Sequence, residues 1–228
     1  MILHRLLDSV TIKFELLIVL TILVQVSPVP SEVTLTQSCG ESDAVWTETR
    51  SCDMERGERR RVALVLGASG ETGGEVVKRL VESEEFTRVV LVTRRHLQLP
   101  DDSRYKEKIV QEIVDFDALS SHHSAVFRGV DTAFCCLGTT RAVAGAEGFV
   151  KVDHDYVLAA ASLLKEAGCS EFHLLTSTGA KASSWLLYSS TKGKVEEAVK
   201  SLAFDKLSIY RPGLLLCARN KTRFMGKQ

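Results

Sequence analysis

Val62-Ala-Leu-Val-Leu-Gly-Ala-Ser-Gly-Glu-Thr-Gly73 carries the deciding pattern, since five apolar residues run into a glycine-rich turn that opens an amphipathic segment. Each glycine has a separate task in such a turn. Gly67 lets the chain reverse after a strand, Gly70 lets backbone approach a phosphate without a Cβ, and Gly73 lets the new helix pack on the sheet. The N–H groups at the helix start lack intrahelical partners and face an anion, with Ser69, Glu71 and Thr72 riding on the same turn. A turn of this composition also serves as plain punctuation, so its surroundings matter. Val76, Val77, Leu80 and Val81 follow at helical spacing, and Val89-Val-Leu-Val-Thr93 reads as the next strand.

From Arg61 onward strand and helix patterns alternate, which predicts an α/β fold built on a parallel sheet. Strands are expected near 62–66, 89–93, 109–114, 131–137, 171–176 and 206–210, and helices near 73–83, 118–127, 146–166 and 188–202. Gly168 is the expected C-cap of the third helix. Right-handed crossovers then give a doubly wound, Rossmann-like sheet in the order 3-2-1-4-5-6, whose ligands bind beyond the carboxyl ends of the strands.

Those carboxyl ends are informative one by one. After the second strand stand Thr93-Arg94-Arg95, where an acidic residue would grip the ribose hydroxyls of NAD; two guanidiniums there favour the 2′-phosphate of NADP, against the plainer reading of a solvated basic turn. After the third come Asp115-Phe116-Asp117, a carboxylate able to accept from an adenine amino group beside a phenyl ring. After the fourth, Leu137, Gly138 and Thr139 sit at cofactor height. Each is a turn in its own right, and it is their shared location that points to a dinucleotide, NADPH by the arginines.

Tyr188 and Lys192 are four residues apart on an expected helix, which stacks phenol and ammonium on one face. A nearby cation favours phenolate and moves a tyrosine towards proton exchange with a substrate. Tyr188 is thus the expected general acid for carbonyl reduction, with Lys192 tuning it and holding the nicotinamide ribose. Ser177, at the end of the fifth strand, is expected to orient the substrate oxygen, with Thr176 and Thr178 as alternatives. The same spacing also arises by accident on any helix.

Gly67-Ala-Ser-Gly-Glu-Thr-Gly73, Cys135-Cys-Leu-Gly-Thr-Thr-Arg141, Ala144-Gly-Ala-Glu-Gly-Phe-Val150, Val152-Asp-His-Asp-Tyr-Val157, Tyr188-x-x-x-Lys192-Gly and Arg211-Pro-Gly213 together resemble the Tat-interacting oxidoreductases, atypical short-chain dehydrogenase/reductases. The similarity runs from about Arg61 to Ala218. It implies a Rossmann fold, bound NADPH, a Ser-Tyr-Lys set, and Arg211 closing the sixth strand beside the nicotinamide. It also implies regulatory protein partners, in transcription, nuclear transport and apoptosis, for members in cytoplasm and nucleus. Family members continue past this chain's Gln228 with a segment that covers the substrate cleft, so the expectation is a C-terminally truncated domain over 61–228 whose nucleotide site outlasts its catalysis. Two roles stay open: a carbonyl reductase on an unidentified small molecule, or an NADPH-responsive regulatory protein.

Composition narrows the field. Twenty-nine basic residues balance 29 acidic ones in 228, so nothing draws the chain as a whole to nucleic acid. Six cysteines show no paired spacing for a metal, and Cys135-Cys136 lie in an apolar run as packing residues. Residues 1–60 read as a hydrophobic leader plus linker. Leu16 to Val26 is nearly all apolar and is followed by Ser27-Pro-Val-Pro-Ser31, which suits a signal peptide or short anchor with membrane contact through residues 10–29. A variant upstream extension, with Met54 as the natural start, is the other reading. Localisation is expected to be cytoplasmic and nuclear, or else membrane-anchored or secretory through the leader.

Overall fold

The computed structural model describes residues 61–119 and 124–213; the expected leader and linker over 1–60 and the segment after Gly213 lie outside the described residues. Six parallel strands form the sheet: β1 (Arg61–Leu66), β2 (Phe86–Thr93), β3 (Ile109–Ile113), β4 (Thr132–Cys135), β5 (Glu171–Leu175) and β6 (Lys206–Tyr210). Their spatial order is β3-β2-β1-β4-β5-β6, the doubly wound order expected from the sequence. β1 lies at the centre, with Leu66 opposite both Val92 of β2 and Cys135 of β4. The chain direction therefore reverses its winding between β1 and β4, and a crevice opens at their carboxyl ends.

Alternation along the strands feeds two cores. Ala63 and Val65 face one layer, packing with Val76, Val77, Leu80 and Val81 of α1 (Glu71–Glu82). Leu64 and Leu66 face the other, with Ala160, Ala161 and Leu164 of α4 (Tyr156–Glu166) and Val195 and Val199 of α5 (Leu187–Ser201). A strand buried on both faces reads as a continuous apolar run, which is why β1 and β2 stand out in the sequence. Phe134 and Phe172 are fully enclosed on neighbouring strands. Truncating either to alanine would cost about 3–5 kcal/mol.

The helical connections differ from expectation in identifiable ways. A short helix, α2 (Ser103–Lys108), is absent from the sequence reading; it buries no residue, so it leaves no apolar periodicity, and it starts because Asp102 accepts from Arg104 N at 2.9 Å. Of the helix expected at 118–127, Leu119 is helical and residues 120–123 lie outside the described residues, while 3₁₀ turns at Phe116–Ala118 and Ser124–Phe127 flank it. Asp115 caps the first of them, accepting from Asp117 N at 2.9 Å, and short polar caps of this kind compete with a regular helix.

The long helix expected from residue 146 begins at α3 (Arg141–Val150), but Gly145 breaks that run with φ +72° and ψ −176°. Between α3 and α4 the helix widens into one π turn at Lys151–Asp155. Gly168 ends α4 as expected. With φ +87° it donates to Lys165 O while Cys169 N reaches Leu164 O, the paired bonds of a Schellman motif.

Candidate functional site

The glycine turn is shaped by contacts that forbid a side chain. Gly67 has φ +82°, and a Cβ there would meet the backbone carbonyl of Cys136 at 2.6 Å. At Gly73 a Cβ would sit 2.1 Å from Gly67 O, so strand end and helix start touch through bare backbone. Gly70 is different: its Cβ would lie 3.4 Å from Gly67 O and clear everything else. Gly70 is also the N-cap of α1, with no side chain to accept from the first-turn N–H groups. Gly70 N donates to Gly67 O at 3.0 Å, so the first-turn N–H groups of Glu71, Thr72 and Gly73, which helix geometry leaves without intrahelical acceptors, and the positive end of the helix dipole are offered to an anion.

A cleft of about 600 Å³ starts at this turn and runs across the carboxyl ends of the strands. Of the residues singled out in the sequence, Gly67, Ser69, Gly70, Arg94, Arg95, Phe116, Leu137, Gly138 and Thr139 line it. Glu71 lines a neighbouring groove, and Thr72 and Gly73 lie within the first turn of α1 behind it. Arg94 and Arg95 are exposed and neither makes an ion pair among the described residues. Asp115 does not line the cleft; its carboxylate caps the turn that presents Phe116.

Sequence reasoning overlooked several cleft residues. Tyr156 packs on Phe116 with ring centroids 5.3 Å apart and donates to Asp117 at 2.6 Å, while Lys151 reaches the same carboxylate at 2.7 Å. Hydrogen bonds from Lys151 and Tyr156 hold the Asp117 carboxyl below its ordinary range. Leu97, Val143, Ala144 and Val152 complete the apolar lining.

Asp153 was also overlooked, and it sits at the heart of the site. It is almost fully buried on the π turn, accepts from Thr139 N at 2.8 Å, and places its other oxygen 2.8 Å from Lys192 Nζ. The second contact is an ion pair whose angle is not that of a hydrogen bond. A Cβ on Gly138 would lie 3.4 Å from Asp153 Oδ1 and 3.8 Å from Lys192 Nζ, so the loop after β4 rests directly on the pair. In the sequence, a lone Asp on a helix reads as a solvated residue; only its neighbourhood within Val152-Asp-His-Asp-Tyr-Val157 signalled otherwise.

The three expected catalytic groups have distinct surroundings. Lys192 is buried and Tyr188, one turn away on α5, is half exposed and stacks on the enclosed Phe149 at 5.6 Å. The lysine is directed to Asp153, and no hydrogen bond among the described residues joins it to Tyr188. Ser177 Oγ is buried and has no hydrogen-bond partner among the described residues. Its two alternatives are occupied: Thr176 donates to Glu196 at 2.6 Å, and Thr178 to Arg211 O at 3.0 Å.

Arg211 makes a forked pair with Glu196, Nε lying 2.9 Å from Oε1 and a second guanidinium nitrogen on Oε2. Burial raises the Glu196 carboxyl, but the hydrogen bonds from Arg211 and Thr176 outweigh it and leave the group below its ordinary value. Arg211 thus ties the end of β6 to α5, with half of its side chain still exposed.

The loop between β5 and α5 is held close to the helix. A Cβ on Gly193 would meet Ala182 N at 2.1 Å, and Lys181 N donates to Ser189 O at 3.0 Å. This fixed loop carries Trp185 with 91% of its surface exposed, next to the start of α5. Cys135 and Cys136 are pushed up by burial to about 11 and about 12, so both are thiols at neutral pH and behave as packing groups.

A bare glycine cradle at a helix start, opening on a cleft across the strand ends, fits the phosphates of a dinucleotide. The family model described as NAD(P)H-binding matches residues 67–219. The chain belongs to that NAD(P)H-binding family. Rat protein HTATIP2 is 47% identical over 165 residues, 72% of this chain and 67% of the relative. The mitochondrial protein FMP52 of Eremothecium gossypii is 39% identical over 158 residues, covering 69% and 67%.

Solved structures superpose as well. MoeE5 in complex with UDP-glucuronic acid and NAD has a TM-score of 0.53 at 18% identity, covering 65% of this chain and 53% of that one. UDP-glucose 4-epimerase of Thermotoga maritima also scores 0.53, at 15% identity, covering 66% and 54%. At such identity these share the fold. The chain spans about two thirds of the length of the relatives and about half that of the solved structures. This NAD(P)H-binding protein is an HTATIP2 homologue with a Rossmann-like domain for a nicotinamide dinucleotide.

The expected localisation is corrected by the same relatives. The fungal proteins are named mitochondrial, against the expected cytoplasmic and nuclear, membrane-anchored or secretory placement. Among the described residues no helix is long and apolar enough to cross a membrane, and the apolar stretch at Leu16 to Val26 lies outside them.

Proposed function

We propose that the chain binds NADPH and reduces a carbonyl compound with Ser177, Tyr188 and Lys192. The single observation that carries this reading is Ser177 Oγ, a buried hydroxyl with no partner among the described residues where both neighbouring threonines are engaged. An unpaired buried hydroxyl costs roughly 1–3 kcal/mol, a cost met when a substrate oxygen accepts from it. When bound, the nucleotide would supply the hydride that the carbonyl carbon takes up. Ser177 orients the carbonyl oxygen, and Tyr188, its ring fixed against Phe149, holds the proton that this oxygen receives. Lys192 and Asp153 form a neutral pair under Gly138, able to hold a ribose hydroxyl through the ammonium.

Arg94 and Arg95, exposed at the cleft and free of ion pairs among the described residues, support NADPH over NADH. Titration of the full chain with both nucleotides tests this; equal affinities at moderate salt would refute it. A carbonyl screen follows, in which a Tyr188→Phe protein with full turnover would dismiss the catalytic role.

A second reading, an NADPH-responsive regulatory protein with weak catalysis, is favoured by one observation: the Lys192 charge is neutralised by Asp153 instead of addressing the Tyr188 phenol. Nucleotide occupancy would then act on the loop that displays Trp185 to partners. Hydrogen exchange across residues 177–186 that is indifferent to saturating NADPH would rule this out.

A further inference from the structure

The turn that carries Arg94 and Arg95 leaves the sheet at Thr93 and has no strand partner until α2 begins. Leu97 and Leu99 pack against the core beside α1, and among the described residues the turn's hydrogen bonds between 94 and 99 come from side chains. Thr93 Oγ1 donates to Arg95 O at 2.8 Å. Gln111, on β3, does more: its Oε1 accepts from Leu97 N at 2.8 Å and its Nε2 donates to Leu97 O at 3.1 Å. One amide side chain thereby makes the two bonds a neighbouring strand residue would make.

Gln111 does not line the nucleotide cleft; it lies on the far side of the turn, in a separate groove of about 400 Å³ with His96, Leu99 and Tyr105. Leu97, by contrast, lines the cleft together with both arginines. The clamp is thus placed to act on the cleft only through the backbone between Leu97 and Arg94. Without it, packing of Leu97 and Leu99 still anchors the segment, but the backbone carrying the two long side chains must be ordered at the moment of binding, which weakens recognition of whatever the arginines grip.

We propose that Gln111 is the positioning residue that sets the preference for the 2′-phosphorylated nucleotide, by holding the Arg94–Arg95 turn in the shape that receives the phosphate. The inference rests on the NADPH reading above. Gln111 touches neither the pyrophosphate cradle nor the nicotinamide end, so its effect falls on the phosphate that distinguishes the two nucleotides.

The test is calorimetric titration of the full chain with NADPH and with NADH, for wild type, Gln111→Met, Arg94→Ala/Arg95→Ala and the triple variant. Loss of two neutral hydrogen bonds is expected to lower NADPH affinity roughly threefold to tenfold while NADH affinity stays within about twofold. In the background lacking both arginines, Gln111→Met should change NADPH affinity no further, since the residues act as one unit. Equal loss for both nucleotides, an undiminished effect without the arginines, or a Gln111→Met protein with wild-type selectivity would each overturn the inference. Equal wild-type affinities would instead bring down the NADPH reading, and the inference with it. Thermal melting checks the fold of each variant, and Gln111→Leu, of similar size, takes the place of Gln111→Met should the latter fold poorly.

Discussion

Lys192 Nζ lies 2.8 Å from Asp153 Oδ1, joining α5 to the π turn beneath the loop that follows β4. Both groups are buried, so each charge needs the other. Lys192→Met is expected to cost about 3–5 kcal/mol because it leaves a carboxylate buried alone. Adding Asp153→Leu should restore part of that loss, although Thr139 N–H then lacks its acceptor. Urea unfolding of the three variants measures this; a double variant no more stable than Lys192→Met would show that the two residues do not act as a pair.

Glycine substitutions separate folding from nucleotide binding. Gly73→Ala places a methyl 2.1 Å from Gly67 O and is expected to yield little folded protein. Gly70→Ala meets nothing closer than 3.4 Å and should fold, yet it puts a methyl where the pyrophosphate approaches. Melting temperature near wild type together with at least about a tenfold loss of nucleotide affinity is the expected result for Gly70→Ala, equivalent to about 1.4 kcal/mol.

The hydroxyls at the end of β5 make opposite predictions. Ser177→Ala removes a buried group without a partner, so stability should hold or rise while carbonyl turnover falls. Thr176→Val breaks the bond to Glu196 and should destabilise by about 1–3 kcal/mol. Paired unfolding and turnover measurements on the two variants distinguish a substrate-facing hydroxyl from a structural one.

Glu196 links acidity to stability. Its folded carboxyl lies below the ordinary value of 4.5, so its contribution is present above about that pH and drains away as the pH falls through the lowered folded value. Glu196→Gln keeps a bond to Thr176 but loses the charge facing Arg211. The variant is expected to be less stable at pH 7 and to lose less on acidification below 4.5, as read by thermal melts across pH 7 to 3.

Much of the fold was legible because strands buried on both faces announce themselves, as Val62 to Leu66 and Val89 to Val92 do. The glycine turn and the placement of Arg94 and Arg95 at the cleft were legible because they are set by residues adjacent in the chain. Asp153 was not, since its partner on α5 is 39 positions away and the π turn that aims it inward leaves no mark on a 3.6-residue periodicity. The clamp from Gln111 was hidden for a similar reason: a polar residue within an outer strand reads as solvent-facing, and only the paired geometry with Leu97 reveals its role. α2 escaped notice because it buries no residue fully and only Tyr105 packs against the core, which leaves no apolar periodicity.

The contact between Gly67 and the Cys136 carbonyl has a consequence for the order of assembly. The shape of the anion cradle leans on a strand almost seventy positions downstream, so residues 67–73 alone do not define it. Competence to hold a nucleotide then emerges late, once β4 has docked against β1 and closed a long loop. An excised β1-α1-β2 peptide would accordingly be blind to the ligand, and ligand capture during refolding would serve as a clock for completion of the central sheet.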